Sequence, residues 1–239
     1  MALQISDKYK CIFIHVPKTG GSTIEESCLF DDQRKKTREA VGGHATAVEI
    51  KEIDTSKFLN YYKFSFVRNP YARLVSAFFN FARGGNNEND YFWFEKIFKQ
   101  FDNNFEAFCS EINNIPELKD IPHFRPQYEF ICDENLNFLV DKIGRQENLN
   151  SEANKIFKKL GLVFNKKYAK RSNNKHFSKY YTKETQEIVY DYYKLDFELF
   201  DYNYKIKRTV VYYDLEYFKY KIIKFIKSLV NKIKLRLVG

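Results

Sequence analysis

The sequence predicts a three-layer α/β fold in which a central parallel sheet is flanked by helices. Two short apolar runs, Cys11–Val16 and Lys63–Val67, have the character of buried parallel strands. Each run leads through a turn into a segment with helical features. Strand, turn and helix in that order form the βα unit of nucleotide-binding α/β folds.

The remaining elements follow from periodicity, caps and breakers. After the first strand, Ser22 or Thr23 is placed to cap a helix. A helix is predicted over Tyr71–Ala82, with Pro70 in its first turn. The later expectations are a surface loop at Arg83–Asp90, aromatic-rich helices from Tyr91 to about Ile112, a strand at Phe138–Ile143, a helix at Asn148–Lys159, an irregular basic stretch at Asn165–Ser178 and a helix at Thr182–Leu195.

Composition bounds the class of protein. The 239 residues suffice for one domain with a core, and an aromatic content of 18% excludes a disordered chain. The four cysteines are scattered, which predicts reduced thiols. The first residues lack the apolar length of a signal peptide, and no run reaches the roughly 18 apolar residues of a membrane span. We therefore expect a cytoplasmic protein, at most peripheral on the inner face of the membrane.

The net charge of +9 is concentrated at one end of the chain. Residues 215–239 hold seven Lys and Arg against one Glu. Residues 209–239 are predicted to form a basic amphipathic C-terminal helix beside a main domain at 1–208. Its apolar face can lie on an anionic membrane or pack on the domain, and both interpretations stay open. No recognisable nucleic-acid fold is present, so no nucleic-acid partner is expected.

The stretch between the first strand and helix predicts a phosphate site. Pro17-Lys18-Thr19-Gly20-Gly21-Ser22-Thr23 combines glycines, which let backbone N–H groups approach an anion, with a lysine and two hydroxyls. This resembles a P-loop in position but not in order, because Lys18 precedes the glycines and no magnesium-binding aspartate is evident. A packing turn is the alternative interpretation.

A second segment, FVRNPYARLVSAF, begins where the second strand ends. Open α/β sheets bind ligands at that end of their strands, which makes Arg68 a candidate anion contact, and Ser76 follows two helical turns later. Taken alone, Arg68 could pair with a carboxylate and Ser76 could be a small residue on the helix surface.

Together the two segments resemble the PAPS-dependent sulfotransferases, in the group of Golgi carbohydrate sulfotransferases and their bacterial relatives. PAPS is 3′-phosphoadenosine 5′-phosphosulfate. The resemblance covers roughly residues 10–204 and rests on the PKTGGST and FVRNPYARLVSAF motifs, about 50 residues apart. Weaker similarities are HATA at 44–47, HFRPQ at 123–127, IGRQENL at 143–149, and YY at 180–181 through DFELFDY at 196–202.

The resemblance implies a sulfuryl transfer from PAPS to a hydroxyl of a carbohydrate or glycoconjugate, without a metal. Lys18 would stabilise charge on the departing phosphate oxygen, or only bind the phosphate. The 5′-phosphosulfate would lie on Lys18, Thr19, Gly20, Gly21, Ser22 and Thr23, and the 3′-phosphate on Arg68 and Ser76. An in-line displacement also needs a general base, for which histidine is suited.

Among the four histidines, His44 is the predicted base, because the resemblance places an active-site histidine there. A capping or structural role for His44 is the alternative. His123, Arg125 and Gln127 are predicted to contact the acceptor. Two rival functions remain: a P-loop kinase or NTPase, which would require magnesium, and a non-enzymatic basic module that binds membranes or nucleic acid.

Overall fold

The structure is a computed structural model that describes residues 4–30, 44–165 and 174–206. All of these residues fall within one compact unit, Met1–Ile206. The predicted C-terminal helix at 209–239 lies outside the described residues, as does most of the predicted irregular stretch at 165–178. The two-domain division of the chain therefore stays a prediction.

The sheet has four strands in the order β1-β2-β3-β4. The strands are β1 Ile5–Ser6, β2 Cys11–Ile14, β3 Tyr62–Val67 and β4 Lys142–Arg145. Strands β2, β3 and β4 run parallel, as predicted, whereas the short β1 adds an antiparallel edge. The carboxyl ends of β2 and β3 lie side by side, because Ile14 is paired with Ser65.

Both faces of the sheet are covered by helices, which explains the continuous apolar runs of β2 and β3. Cys11 and Phe13 point to one face, where they pack with Phe64 and Phe66. Ile12 and Ile14 alternate to the opposite face. The mixed α/β architecture with a helix-flanked sheet agrees with the prediction from sequence.

The helices are short. Their bounds are α1 Gly21–Glu25, α2 Ala47–Ile53, α3 Thr55–Asn60, α4 Pro70–Phe81, α5 Glu88–Trp93, α6 Phe105–Glu111, α7 Tyr128–Ile131, α8 Leu149–Lys159, α9 Lys183–Tyr192 and α10 Lys194–Leu199. A π-helical turn at Phe94–Phe98 continues α5. No helix of the described ranges combines the length and apolar character that crossing a membrane requires.

Helix α4 is the element on which the site depends, and its predicted bounds are nearly correct. Asn69 caps it through a side-chain oxygen that accepts from the Ala72 N–H, and Pro70 occupies the first turn. Its apolar face packs into the largest core cluster, where the rings of Phe78 and Phe108 lie 4.9 Å apart. This packing fixes the direction in which the polar side chains of α4 point.

Several boundaries differ from the sequence predictions. The predicted strand at Phe138–Ile143 begins only at Lys142, because Phe138 is drawn into an isolated bridge with Cys132. The predicted loop at Arg83–Asp90 is shorter, because α5 begins at Glu88 behind an Asn87 cap. The last predicted helix divides into α9 and α10, and a capping box of Thr182 and Thr185 begins α9.

Candidate active site

The loop that leaves β2 is held from behind by side chains that bind its carbonyl oxygens. The Thr19 hydroxyl donates to the Val16 carbonyl at 2.8 Å. The Arg73 Nε donates to the Pro17 carbonyl at 3.0 Å, and the Arg68 Nη1 donates to the Lys18 carbonyl at 3.1 Å. Since these carbonyls are occupied on the protein side, the loop has a fixed shape before any ligand arrives.

Backbone handedness alternates along this loop. Lys18 has φ 67° and Gly20 has φ 87°, both in the left-handed region. Residues of alternating handedness turn successive N–H groups toward one side and form an anion-binding concavity, or nest. A lysine in this conformation is unusual, and such strained positions concentrate at functional sites.

Gly21 is required by a close approach. A Cβ atom at this position would overlap the imidazole ring of His15. Gly21 also begins α1, with Gly20 as the N-cap residue. The predicted cap at Ser22 or Thr23 is therefore wrong, because both residues lie inside the first turn. Ser22 is exposed, so its hydroxyl is accessible to a ligand.

Beside the loop, three histidines form a row. The rings of His15 and His44 lie 4.7 Å apart in an edge-to-face arrangement, and those of His44 and His123 lie 5.3 Å apart. These residues come from the end of β2, from the segment before α2 and from the turn before α7. The sequence separates them by up to 108 positions, and only the fold brings them together.

One hydrogen bond fixes the proton position of His44. Its Nδ1 lies 3.1 Å from the carbonyl oxygen of His15, and a carbonyl can only accept. Nδ1 therefore carries the hydrogen, and Nε2 of the neutral ring keeps its lone pair. Burial, followed by the charge of His15, lowers the pKa of His44 to about 3. His44 is thus neutral and able to accept a proton at Nε2.

His15 has a carboxylate partner that the sequence did not reveal. Its Nδ1 lies 2.8 Å from Glu25 Oε1, and Gln4 Nε2 donates to the same oxygen at 2.8 Å. Burial raises the pKa of Glu25, but His15 and Gln4 outweigh it, so that the pKa lies below its usual value. The feature of the sequence that could have suggested this pair is that His15 and Glu25 lie ten residues apart, on either side of the glycine turn.

Arg68 lies behind the loop and is half-buried rather than extended into open space. Burial lowers its pKa below the usual value. Its Nη1 holds the Lys18 carbonyl, while its Nε is buried without a hydrogen-bond partner among the described residues. The two predicted phosphate motifs are therefore in direct contact, which the sequence analysis required but could not establish.

Ser76 lies on the face of α4 that lines an open pocket of about 250 Å³. Lys18 lines the same pocket. Among the described residues, the lining does not include Arg68. The structure thus brings Ser76 to Lys18, and Arg68 to Lys18, but it does not place Arg68 and Ser76 around one pocket.

The predicted acceptor residues divide into two groups. The His123 ring contacts those of His44 and Phe81, and burial lowers its pKa well below the usual value. Arg125 pairs with Glu129 at 3.0 Å. His123 belongs to the histidine row, and Arg125 follows it by two residues. Both stay candidates for contact with the acceptor.

Gln127 is different, because it is fully buried and bridges two elements. Its Oε1 accepts from the Arg68 N–H at 2.9 Å, and its Nε2 donates to the Arg68 carbonyl at 2.8 Å. Its own N–H donates to Asp196. Its bonds to Arg68 position the end of β3. Because Gln127 has no exposed polar group, we omit it from the acceptor site.

Arg73 is a structural residue of the site that the sequence analysis missed. Arg73 is 1% exposed, and its guanidinium donates to the carbonyls of Pro17, Pro122 and Arg125. It thereby joins the phosphate loop to the turn that carries His123. Its position inside the FVRNPYARLVSAF motif was the only feature of the sequence that could have indicated this role.

In the described ranges, no group of three or more His, Cys, Asp or Glu side chains is arranged to hold a metal ion. The absence of a metal from the reaction stays a prediction.

Comparisons with known proteins bear on the family of this chain. An uncharacterized protein of Archaeoglobus fulgidus is 32% identical over 105 residues, which is 44% of this chain and 72% of that protein. No solved structure matches the chain. The profile of the sulfotransferase family matches residues 1–203, which include the loop, the histidine row and α4. With most of its length in that match, the chain belongs to the sulfotransferase family.

Proposed function

We propose that this sulfotransferase uses PAPS as its donor and a hydroxyl of a carbohydrate or glycoconjugate as its acceptor. The observation that best supports PAPS as the donor is the contact between the two phosphate motifs, where Arg68 Nη1 donates to the Lys18 carbonyl. The motifs meet because each follows the carboxyl end of a parallel strand, and such ends are the ligand-binding edge of open α/β sheets.

The residues present fit a phosphate-bearing donor. The carbonyls of Val16, Pro17 and Lys18 accept hydrogen bonds from Thr19, Arg73 and Arg68, which holds the loop in a shape suited to an anion nest. Gly21 allows the close approach of His15. The buried Nε of Arg68 has no partner among the described residues, and a ligand oxygen would satisfy it.

The donor supplies an activated sulfuryl group, and the chain supplies charge and a base. The Lys18 ammonium stabilises negative charge beside the loop, as in phosphoryl transfer, where positioning and electrostatics dominate. His44 Nε2 accepts the proton of the attacking hydroxyl, while the His15 carbonyl holds Nδ1–H and keeps the ring in position. An anionic ligand beside the ring would raise its pKa from the low value toward the working range.

The acceptor site is proposed at His123 and Arg125. His123 touches the His44 ring, so a hydroxyl there would be within reach of the base. Arg125 offers a cation for an acidic sugar, although Glu129 already pairs with it. The carbohydrate nature of the acceptor rests on the resemblance of the motifs to carbohydrate sulfotransferases. The transfer of radiolabelled sulfate from PAPS to a panel of candidate acceptors tests the carbohydrate assignment directly.

Membrane contact through residues 209–239 is a further proposal. It is supported by the basic and apolar faces that a helix would give this segment. A glycoconjugate acceptor at a membrane would make such contact useful.

Calorimetry with 3′,5′-adenosine bisphosphate tests the donor. We expect binding that is unchanged by EDTA and weakened by about 2 kcal/mol in Lys18→Ala and Arg68→Ala, since each loses charged contacts. Lys10→Ala is the matched control, because Lys10 is also left-handed but lies in the β1–β2 turn. Absence of bisphosphate binding, or magnesium-dependent binding of ATP in its place, would overturn the proposal and favour an NTPase.

A further inference from the structure

Two motifs of the sequence, IGRQENL and DFELFDY, are not used by the proposed function. The structure places the first at the end of β4 and the second across the end of α10. Strand β4 pairs in parallel with β3, and Arg145 lies opposite Val67, so the residues that follow both strands are neighbours. Glu147 of the first motif therefore lies beside Arg68 and Asn69.

The peptide group between Arg68 and Asn69 is held at both ends by side chains. Gln127 Nε2 donates to the Arg68 carbonyl at 2.8 Å, and the Asn69 N–H donates to Glu147 Oε1 at 2.8 Å. Gln127 Oε1 also accepts from the Arg68 N–H at 2.9 Å. Because peptide groups are planar, these bonds restrict both backbone torsions of Arg68 and thereby the direction in which its side chain points.

Glu147 is itself held in place by Tyr202 of the second motif. The Tyr202 hydroxyl donates to Glu147 Oε2 at 3.0 Å, so each oxygen of the carboxylate has its own partner. The Arg145 guanidinium lies 4.8 Å from the centre of the Tyr202 ring, and Arg145 Nη2 donates to the Phe200 carbonyl at 2.7 Å. These contacts fix the DFELFDY segment to the end of β4, so Glu147 offers the Asn69 N–H an acceptor of restricted position.

Glu147 also acts on the charge of Arg68. Burial lowers the pKa of the Arg68 guanidinium, and the charge of Glu147 opposes this decrease. A negative charge close to an anion site also repels the anion. The charge of Glu147 and its hydrogen bond to Asn69 therefore have opposite effects on a bound phosphate, and two neutral replacements of Glu147 separate them.

We propose that Glu147, held by Tyr202, is a positioning residue for Arg68 that acts through its hydrogen bond to the Asn69 N–H. The inference rests on the proposed function, in which Arg68 contributes to binding of the donor. It assigns a role to the IGRQENL motif and to the final tyrosine of DFELFDY. Glu147 itself does not contact the donor in this arrangement.

Calorimetry with 3′,5′-adenosine bisphosphate compares Glu147→Gln with Glu147→Ala. Both replacements remove the charge, but only glutamine keeps an oxygen that can accept from the Asn69 N–H. We expect the alanine variant to bind the bisphosphate about fivefold or more weakly than the glutamine variant. Tyr202→Phe, which removes only the hydroxyl, should weaken binding by about threefold relative to the wild type.

The same comparison in an Arg68→Ala chain distinguishes positioning from a general structural effect. A positioning residue has no influence once the side chain that it positions is absent. The difference between the Gln and Ala replacements of Glu147 should therefore fall below about twofold in this chain. A fivefold difference that persists without Arg68 would overturn the proposal, because the effect would not pass through that side chain.

Asp141→Asn and Asp141→Ala form the matched control. Asp141 Oδ2 accepts from the Lys63 N–H at 2.7 Å, near the opposite end of β3, so this pair also keeps or removes one acceptor of a backbone N–H. We expect the two control variants to bind the bisphosphate equally, and urea unfolding confirms that each variant is folded. A fivefold difference within the control pair would indicate a general effect on β3 and would overturn the proposal.

Two further outcomes separate this inference from the proposed function. If the wild-type protein binds the bisphosphate and the Gln and Ala variants of Glu147 bind it equally well, the positioning role is refuted and the proposed function stands. If the wild-type protein does not bind the bisphosphate, the proposed function fails and the positioning role fails with it.

Discussion

Lys18 combines the charge that is proposed to hold the donor with a strained backbone. Its φ of 67° costs a non-glycine residue on the order of 1–2 kcal/mol. The hydrogen bond from Arg68 to its carbonyl holds the conformation. Strain of this kind persists where the surrounding structure fixes the chain, and here it shapes the loop that is proposed to bind the donor.

A comparison of two variants separates strain from charge at Lys18. Lys18→Gly removes both the side chain and the strain, whereas Lys18→Ala removes the side chain alone. We expect the glycine variant to have the higher free energy of unfolding, by about 1 kcal/mol, in urea titrations. Both variants should bind the bisphosphate more weakly, by about 2 kcal/mol. Equal unfolding free energies would show that the position is not strained.

The buried and neutral state of His44 makes the stability of the fold depend on pH. The pKa of His44 is lowered to about 3 in the folded chain, while an unfolded histidine has a pKa near 6.5. Between these values the unfolded chain binds a proton that the folded chain does not. The contribution of His44 to stability is therefore retained above the unfolded pKa and is lost as the pH falls below it.

We expect His44→Asn to reduce this pH dependence. The Asn amide can still donate to the His15 carbonyl, but it does not titrate. Between pH 7 and pH 5, the free energy of unfolding of the variant should fall by about 2 kcal/mol less than that of the wild type. His176→Asn, at an exposed position, serves as the control. If His44→Asn and the wild type have parallel pH profiles, the folded His44 is not held neutral.

At the scale of elements, Arg73 joins parts of the site that no strand pairing connects. It projects from α4 and donates to the loop after β2 through Pro17, and to the turn before α7 through Pro122 and Arg125. Burial lowers the pKa of its guanidinium, but the three carbonyls satisfy its N–H groups. The spacing between Lys18 and His123 therefore depends on this side chain.

Arg73→Met tests this connection. The variant leaves buried carbonyl oxygens unpaired and removes a cation near Asp196, so we expect a loss of about 3 kcal/mol in the free energy of unfolding. Arg83→Met, which removes an exposed arginine just past the same helix, should cost less than about 0.5 kcal/mol. Similar losses in both variants would contradict the structural role of Arg73.

At the scale of the whole molecule, the basic segment 209–239 carries the proposed membrane contact. Replacing Lys221, Lys224, Lys227 and Lys234 with Gln should weaken binding to vesicles that contain phosphatidylserine. About 1 kcal/mol per lysine is expected near an anionic surface. Sedimentation with these vesicles measures the effect, and neutral phosphatidylcholine vesicles are the control. Unchanged sedimentation of the quadruple variant would refute the electrostatic contact.

The sequence by itself determined the local elements and predicted the chemistry that we propose for the loop. Strand β3 and helix α4 were predicted to within one residue, because apolar runs, a proline and helical periodicity act over short distances. The glycines and Lys18 indicated a phosphate site because they too lie close together in the sequence. The start of β4 was misplaced, because pairing of Phe138 with Cys132 depends on a contact that no local pattern encodes.

Only the tertiary structure decided which side chains share the site. The row of His15, His44 and His123, the Glu25 partner of His15 and the buried bridge of Gln127 join residues from separate elements. Each of these contacts depends on burial and on how separate chain segments pack together. Sequence patterns reflect only the propensities of a residue and of its near neighbours in the chain. For this reason the sequence identified the family, and the packing around β2, β3 and α4 determined which side chains lie together.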